Sequence, residues 1–303
     1  MEYSIPVLRP MKPVAKCNKT TINLLVVSQE PGMLKIGIIG CGFIGGQICR
    51  AIDSGAFNAE LYALFDSSQS KALELAASLK RCSPAYMRIE ELLQSVDLVI
   101  ESASQNAVRL IVPQALKAGR DIMVLSVGAL ADKELREKIF RLAEQNNCKL
   151  YFPSGAIVGI DGINSASASE ISSVTLTTRK PPLNLAGAPH IEALGIELEK
   201  IEKETLLFEG PASEAVKAFP ANVNVAATIS LAGIGFDRTK VKVIADPSLS
   251  RNVHEITVEG KFGKFFTRVE NVPSPENPKT SYLAALSAIS TLKKILSPVQ
   301  IGT

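Results

Sequence analysis

Gly40-Cys41-Gly42-Phe43-Ile44-Gly45 is the strongest chemical signal in the 303-residue sequence. A GxGxxG run carries meaning when a strand precedes it, a helix follows it and an acid lies about 20 residues further on. The apolar run Leu34 to Ile39 leads into the glycines, and Ile48, Ala51 and Ile52 continue beyond them with helical spacing. Asp66 ends a second strand-like run, Glu60 to Phe65, at 66 − 45 = 21 positions past Gly45. In this context Gly40 permits a tight turn, Gly42 lets the backbone approach a pyrophosphate, and Gly45 lets helix and strand pack closely. The helix N-terminus, with Phe43 and Ile44 in its first turn, offers free N–H groups to phosphate oxygens. Asp66 would accept hydrogen bonds from both hydroxyls of an adenosine ribose and repel a 2′-phosphate. Ser67 and Ser68 follow it with no arginine beside them, so NAD is favoured over NADP.

The elements that must hold this loop follow as a strand–helix alternation. Asp97 to Glu101, Asp121 to Leu125 and Lys149 to Phe152 read as strands, with helices over Gln105 to Lys117 and Asp132 to Asn147. Repeats of this spacing give right-handed βαβ units and a doubly wound, mostly parallel sheet of the Rossmann type. Ligands bind beyond the carboxyl ends of such strands. That singles out Ser102 to Ser104, Ser126 to Ala129 and Pro153 to Ile157, small polar residues and glycines against which a flat nicotinamide and its ribose could lie.

After residue 160 the pattern changes to β-type runs: Val174 to Thr178, Leu206 to Phe208, Val241 to Ala245, His254 to Glu259 and Phe262 to Val269. An alanine-rich helix, Val223 to Leu231, interrupts them. These runs predict an α+β domain on a mixed sheet. Asn277-Pro278-Lys279 should start a final helix whose apolar face is Tyr282, Leu286, Ile289, Leu292 and Leu296 and which returns to the nucleotide-binding domain. The expected organisation is an extension over 1–32, a nucleotide-binding domain over 33–157, a substrate domain over 158–276 and the closing helix within 277–303. Met33-Leu34-Lys35-Ile36 reads like a chain beginning, so either translation starts at Met33 or residues 1–32 form a loosely held tail without function.

Composition narrows the partners. Hydrophobic residues make up 46% and charged residues 21%, an ordinary globular balance, and the net charge of 33 − 30 = +3 forms no basic block for nucleic acid. No apolar run approaches the roughly 18 residues of a membrane span. Cys17, Cys41, Cys49, Cys82 and Cys148 show no CxxC spacing, which argues against a metal site or disulfide framework and for a reducing cytoplasm. His190 and His254 are the two histidines, so a reaction needing an imidazole has few candidates.

Several segments, in order, resemble the L-aspartate dehydrogenases: Gly40 to Gly45, Ser126-Val-Gly-Ala129, Pro153-Ser-Gly-Ala-Ile157, Thr178-Arg-Lys-Pro181, Phe219-Pro-Ala-Asn-Val-Asn-Val-Ala226, Ala245-Asp-Pro247, Asn252-Val-His-Glu-Ile256 and Asn277-Pro-Lys-Thr-Ser281. The likeness runs from about 33 to 296. The first segment is generic, whereas the FPxNVNVA, NVHEI and NPKTS segments are specific. The resemblance implies NAD(P)-dependent oxidation of L-aspartate to iminoaspartate, reversible with ammonia, feeding nicotinamide-cofactor synthesis in many members. It also implies a catalytic role for His254 and cofactor contacts at Ala156 and at Asn222 or Asn224.

The chemistry agrees. Cα gives up hydride only when the amino nitrogen is free, so an acid–base group titrating near neutrality is expected, and His254 suits it. A dicarboxylate substrate also needs cations or N–H donors. Lys279, with Thr280 and Ser281, offers an ammonium at a helix start. Arg179 and Lys180 are a second pair, although adjacent charges ordinarily face solvent. A semialdehyde dehydrogenase would need a thiolate in the second domain, and the last cysteine is Cys148. Another imine reductase, a homoserine-type dehydrogenase and a non-catalytic NAD sensor remain as alternatives on fold grounds. The mixed sheet of a small second domain tends to bury a face against another copy, so a homodimer or larger oligomer is expected.

Overall fold

In the computed structural model, residues 33–220, 223–274 and 281–303 are described. The extension expected over 1–32 lies outside them. Eleven strands occur among the described residues: β1 (Leu34–Ile39), β2 (Ala59–Phe65), β3 (Ala85–Tyr86), β4 (Leu98–Glu101), β5 (Asp121–Val124), β6 (Leu150–Tyr151), β7 (Ile171–Lys180), β8 (Thr205–Pro211), β9 (Lys240–Ala245), β10 (Asn252–Gly260) and β11 (Gly263–Asn271). The helices are α1 (Phe43–Asp53), α2 (Gln69–Ser78), α3 (Ile89–Ser95), α4 (Gln105–Lys117), α5 (Lys133–Gln145), α6 (Ile160–Ser167), α7 (Pro189–Leu194), α8 (Ala212–Ala218), α9 (Val223–Ala232) and α10 (Tyr282–Leu296).

The first six strands form one parallel sheet in the order β3-β2-β1-β4-β5-β6. The order reverses between β1 and β4, the crevice where an open α/β sheet receives a ligand. The sequence reading missed β3 and the short helices α2 and α3, whose apolar stretches are too brief to stand out. The second sheet runs β11-β10-β7-β9-β8 and is mixed: β7 and β9 are parallel, and the other neighbours antiparallel. Its strands outrun the apolar runs that announced them, because β-ladder pairing carries Thr, Ser and charged residues along on the outer face.

Two cores hold the fold. One lies against α1 and joins Ile36, Ile38, Ile48 and Met123 to Ala288 and Leu292 of α10. The other begins on the opposite face of the parallel sheet, at Val99, Ile122 and Val124, and passes through the tight turn Val127–Ala131 to Leu176, Val243, Ile256 and Ala227 of the second sheet and its helices. The two sheets thus share apolar packing.

The closing helix returns to the nucleotide-binding sheet as expected, and Leu292, Ile289 and Leu296 of the expected face pack on the core, but Ala285 and Ala288 are buried where Tyr282 and Leu286 are exposed. The reason is the partner surface: α1 presents Gly45, Gly46 and Cys49 on its buried side, and small residues let two helices approach closely. Ser281 has extended backbone and bridges to Pro273, and α10 begins at Tyr282; the start expected at Asn277-Pro278-Lys279 lies outside the described residues. Replacing the fully buried Ala288 by Leu should overpack this contact and destabilise the protein by about 1–3 kcal/mol, read by urea denaturation.

Candidate active site

The carboxyl ends of the parallel strands and the inner face of the second sheet enclose a cavity of about 390 Å³. Gly42, Phe43, Ile44, Ser102, Ser126 and Ala156 line it from the nucleotide-binding side; Lys180, Asn224, Thr228, Asn252 and His254 line it from the other. Ser281 closes one end.

The glycine turn is built as a cradle. Gly40 has φ +95°, and a Cβ there would strike Ala103 at 2.8 Å. A Cβ on Gly45 would sit 2.0 Å from the Gly40 carbonyl oxygen, so helix and turn are already in contact. Gly42 is the opposite case: nothing lies within 4 Å of its Cβ position. That open space faces the first turn of α1, which has no side-chain cap and no acidic residue to satisfy its leading N–H groups. The residues therefore fit the pyrophosphate of a dinucleotide. Ser102 supports the turn from below, its hydroxyl donating to the Gly40 carbonyl at 2.9 Å. Asp66 does not line the cavity. Its Oδ2 accepts from the Cys41 N–H at 2.8 Å and its Oδ1 from the Ser68 N–H at 2.9 Å, so the carboxylate also ties the turn to the end of β2. Oδ2 keeps a lone pair for a ribose hydroxyl.

Beneath the two loops beyond β4 and β5 lies a residue the sequence reading passed over. Glu101 is fully buried at the last position of β4. Its carboxylate accepts from the N–H groups of Ala103, Ser104 and Ser126 and from the Ser126 hydroxyl, all at 2.9–3.0 Å. Burial pushes the carboxyl above its usual range, and the four donors oppose that by favouring the ionised form. The acid at the end of the DLVIE run was visible; the donors that keep it buried come from as far as 25 residues along the chain.

His254 lies on β10 directly opposite Thr178 of β7. The Thr178 hydroxyl meets Nδ1 at 3.1 Å, which leaves Nε2 for a ligand. A hydroxyl both donates and accepts, so this partner orients the ring in either tautomer without supplying charge. The expected near-neutral titration is not what the site provides. His254 is 6% exposed, and burial, followed by the charge of Lys180, pushes its imidazole down to about 3. The ring is neutral at physiological pH. The Arg179–Lys180 pair is split by strand alternation. Arg179 turns outward to Glu204 and Glu255, whereas Lys180 turns inward, lines the cavity, and is pushed down to about 8 by burial.

The remaining sequence candidates divide. Asn224 lines the cavity, and its Oδ1 accepts from the Gly128 N–H at 2.8 Å, tying the start of α9 to the loop beyond β5. The Ala156 carbonyl accepts from Asn271 Nδ2 at 3.0 Å, and Asn271 Oδ1 in turn accepts from the Ser281 hydroxyl. Ser281 therefore braces the Pro153–Ile157 loop while facing the cavity, and Ser287 of α10 braces it again through the Gly155 N–H. Asn222, Lys279 and Thr280 lie outside the described residues. His190 sits away from the cavity, its Nε2 against the Leu207 carbonyl and its ring against Phe208 and Phe219. Thr178 and Asn271 were not singled out as site residues, because their roles depend on partners from other strands.

Comparison with known proteins places these features in company. The sequence profile described as aspartate dehydrogenase, C-terminal, matches residues 161–295, and that described as homoserine dehydrogenase, NAD binding domain, matches residues 40–153. The chain is 86% identical over 271 residues to the L-aspartate dehydrogenase of Methanosarcina barkeri, covering 89% of this chain and 100% of that one. It is 45% identical over 272 residues to the L-aspartate dehydrogenase of Methanothermobacter thermautotrophicus, covering 89% and 99%. The crystal structure of aspartate dehydrogenase from Thermotoga maritima superposes with a TM-score of 0.70 at 29% identity, covering 89% of this chain and 99% of that one. Apo scyllo-inositol dehydrogenase from Lactobacillus casei superposes at 0.54 with 14% identity over 89% and 90% of the two chains, a likeness of fold alone.

The Glu101 clamp makes a direct prediction. Glu101→Gln turns an amide NH₂ toward donors that need an acceptor, so it should cost about 2–3 kcal/mol in denaturant unfolding and weaken NADH binding measured by fluorescence. Unchanged stability would remove the clamp role.

Proposed function

The chain belongs to the L-aspartate dehydrogenase family, and we propose that it oxidises L-aspartate to iminoaspartate with NAD, His254 exchanging the proton the reaction requires. The observation that carries this reading is that His254, one of two histidines in the sequence, lines the same cavity as the glycine cradle. Bound NAD supplies the hydride acceptor. The chain supplies the rest. In this proposal Gly40, Gly42, Phe43, Ile44 and Gly45 hold the pyrophosphate, Asp66 the adenosine ribose, and Ser102, Ser126, Ala156 and Asn224 the nicotinamide end. Asn222 and NADP as a second acceptor belong to the same proposal.

The amino nitrogen of aspartate must lose a proton before Cα can release hydride. A neutral imidazole, held through Nδ1 by Thr178, presents Nε2 as the acceptor. In the reverse direction the same nitrogen returns the proton to the imine or carbinolamine. Ser281, with Lys279 and Thr280, is proposed to contact one substrate carboxylate. A thiol route has no support: no cysteine is among the lining residues described, and burial together with Asp66 pushes the Cys41 thiol up to about 12.

The setting is proposed as well. Iminoaspartate hydrolyses in water, so a consuming reaction must follow it closely, and nicotinamide-cofactor synthesis is the proposed sink. The four described cysteines are thiols, in keeping with a reducing cytoplasm. Among the described residues no helix is long and apolar enough to cross a membrane. For the oligomer we infer a homodimer through the outer face of the second sheet. No described element covers that face, and Thr175, Thr257 and the exposed Phe266 lie in one row across it.

Two measurements test the proposal. NADH oxidation with oxaloacetate should require ammonia and fall by about 100-fold or more in His254→Ala. Turnover without ammonia would point to a keto-acid or alcohol dehydrogenase, and NADH binding without turnover to another substrate or a sensor. Light scattering should give twice the 32.4 kDa chain mass, reduced to that of a monomer by Phe266→Glu.

A further inference from the structure

We propose that the Thr228 hydroxyl accepts a hydrogen bond from the amino or imino nitrogen of the substrate; the proposal rests on the reaction given above and assigns the residue that reads its nitrogen. Thr228 is 5% exposed, yet it lines the cavity with Asn224 and Val225. Counted from Asn224, the three fall at i, i+1 and i+4, one face of α9. The helix carries that face over the reacting end. A Cβ on Gly233, just past the end of α9, would lie 3.5 Å from Val174 near the start of β7. The start of α9 meets the cavity where β7 ends and where His254 stands opposite Thr178. α9 therefore runs back along the inner face of β7, and Thr228 faces the cavity from the same side as His254.

The hydroxyl has already committed its proton. Thr228 Oγ1 donates to the Asn224 carbonyl one turn back at 2.9 Å, and among the described residues nothing donates to Oγ1 in return. Ser102 and Ser126 do likewise on the nucleotide-binding side, donating to the Gly40 carbonyl and the Glu101 carboxylate. Thr228 therefore offers the cavity lone pairs alone. Such a group turns carboxylate and keto oxygens away and accepts from N–H. Aspartate has N–H donors at one place, its amino nitrogen. Of the three N–H bonds of the ammonium, one gives its proton to His254 Nε2 and two remain. As hydride then leaves Cα for NAD, the nitrogen lone pair becomes the second bond of C=N and the nitrogen turns positive. Its N–H bonds become stronger donors, so the contact with Thr228 tightens as the barrier is crossed. A 2-hydroxy acid offers a single O–H, which the base consumes, leaving oxygen lone pairs against those of Thr228. The residue thus favours amino over hydroxy substrates.

Thr228→Val keeps the branched shape and removes the acceptor, whereas Thr228→Ser keeps the acceptor. Three quantities compare them with wild type: kcat/KM for ammonia at saturating NADH and oxaloacetate, the NADH Kd by fluorescence, and the Kd of succinate for the NADH-loaded enzyme by calorimetry. Succinate is aspartate without its nitrogen. Thr228→Val should lose about 10-fold or more in kcat/KM for ammonia, and Thr228→Ser should stay within about threefold of wild type. The NADH and succinate Kd should stay within about twofold in both variants, since neither ligand carries the nitrogen. A kcat/KM for ammonia within about threefold of wild type in Thr228→Val would overturn the assignment. So would a serine variant no better than the valine one. NADH binding weakened in step would give the hydroxyl to the nicotinamide carboxamide, and succinate binding weakened in step would make Thr228 part of the scaffold; either result ends the proposal. The two proposals fail distinguishably. A wild type that consumes no NADH with oxaloacetate and ammonia would sink the reaction and this contact together, whereas wild-type turnover with an unaffected valine variant would sink the contact alone.

Discussion

At the bottom of the cavity a dry carboxylate takes four hydrogen bonds and has no cation beside it among the contacts described. Glu101 can remain ionised there only while the loop beyond β4 and the loop beyond β5 both aim their donors at it, and each loop is shaped by having to do so. Ser126 spends its N–H and its hydroxyl on this one acceptor. With those two loops fixed, Gly128 is placed to donate to Asn224, which draws the start of α9 and the second sheet to the cavity. Ser102, next to Glu101 in sequence, is placed to hold the glycine turn. The site is thus organised outward from a buried carboxyl that is not itself among the lining residues described.

The cavity itself is mostly neutral. Its backbone groups, hydroxyls and amides supply shape and dipoles, while Lys180 concentrates the formal charge. The depressed imidazole of His254 reflects its burial first and the Lys180 charge second, an effect that low local dielectric strengthens. Lys180 thus bears on the neighbouring imidazole, whose charged form it disfavours beyond what burial alone does.

The legible features in the sequence were those imposed by backbone geometry. A glycine at φ +95° and one whose Cβ would collide with a carbonyl cannot be replaced quietly, so the nucleotide loop was readable without any structure. The alternation of strands and helices fixed the parallel sheet for the same local reason. The helix α10 was found, but its expected face was only partly right: Ile289, Leu292 and Leu296 pack on the core, whereas Ala285 and Ala288 take the inner positions expected of Tyr282 and Leu286; two helices in close contact prefer alanine, and spacing alone does not say how close the partner will come. Arg179 and Lys180 looked alike as neighbours in sequence, and only the pairing of β7 with β10 shows that one is solvent-side and the other is not. Glu101, Thr178 and Asn271 were hidden more deeply. Each is an ordinary polar residue until a distant segment supplies its partner, and that partner is a property of topology.

The return of α10 to the first sheet has a consequence for how the protein is made. Ala288 and Leu292 cover the face built by Ile36, Ile38 and Ile48, some 250 residues earlier in the chain. Synthesis runs from the N-terminus at about 5–20 residues per second, so that face waits uncovered for more than ten seconds while the whole second sheet is being added. The nucleotide-binding half is therefore finished last although it is begun first. During that interval the nascent chain displays an apolar face, which α10 covers on arrival.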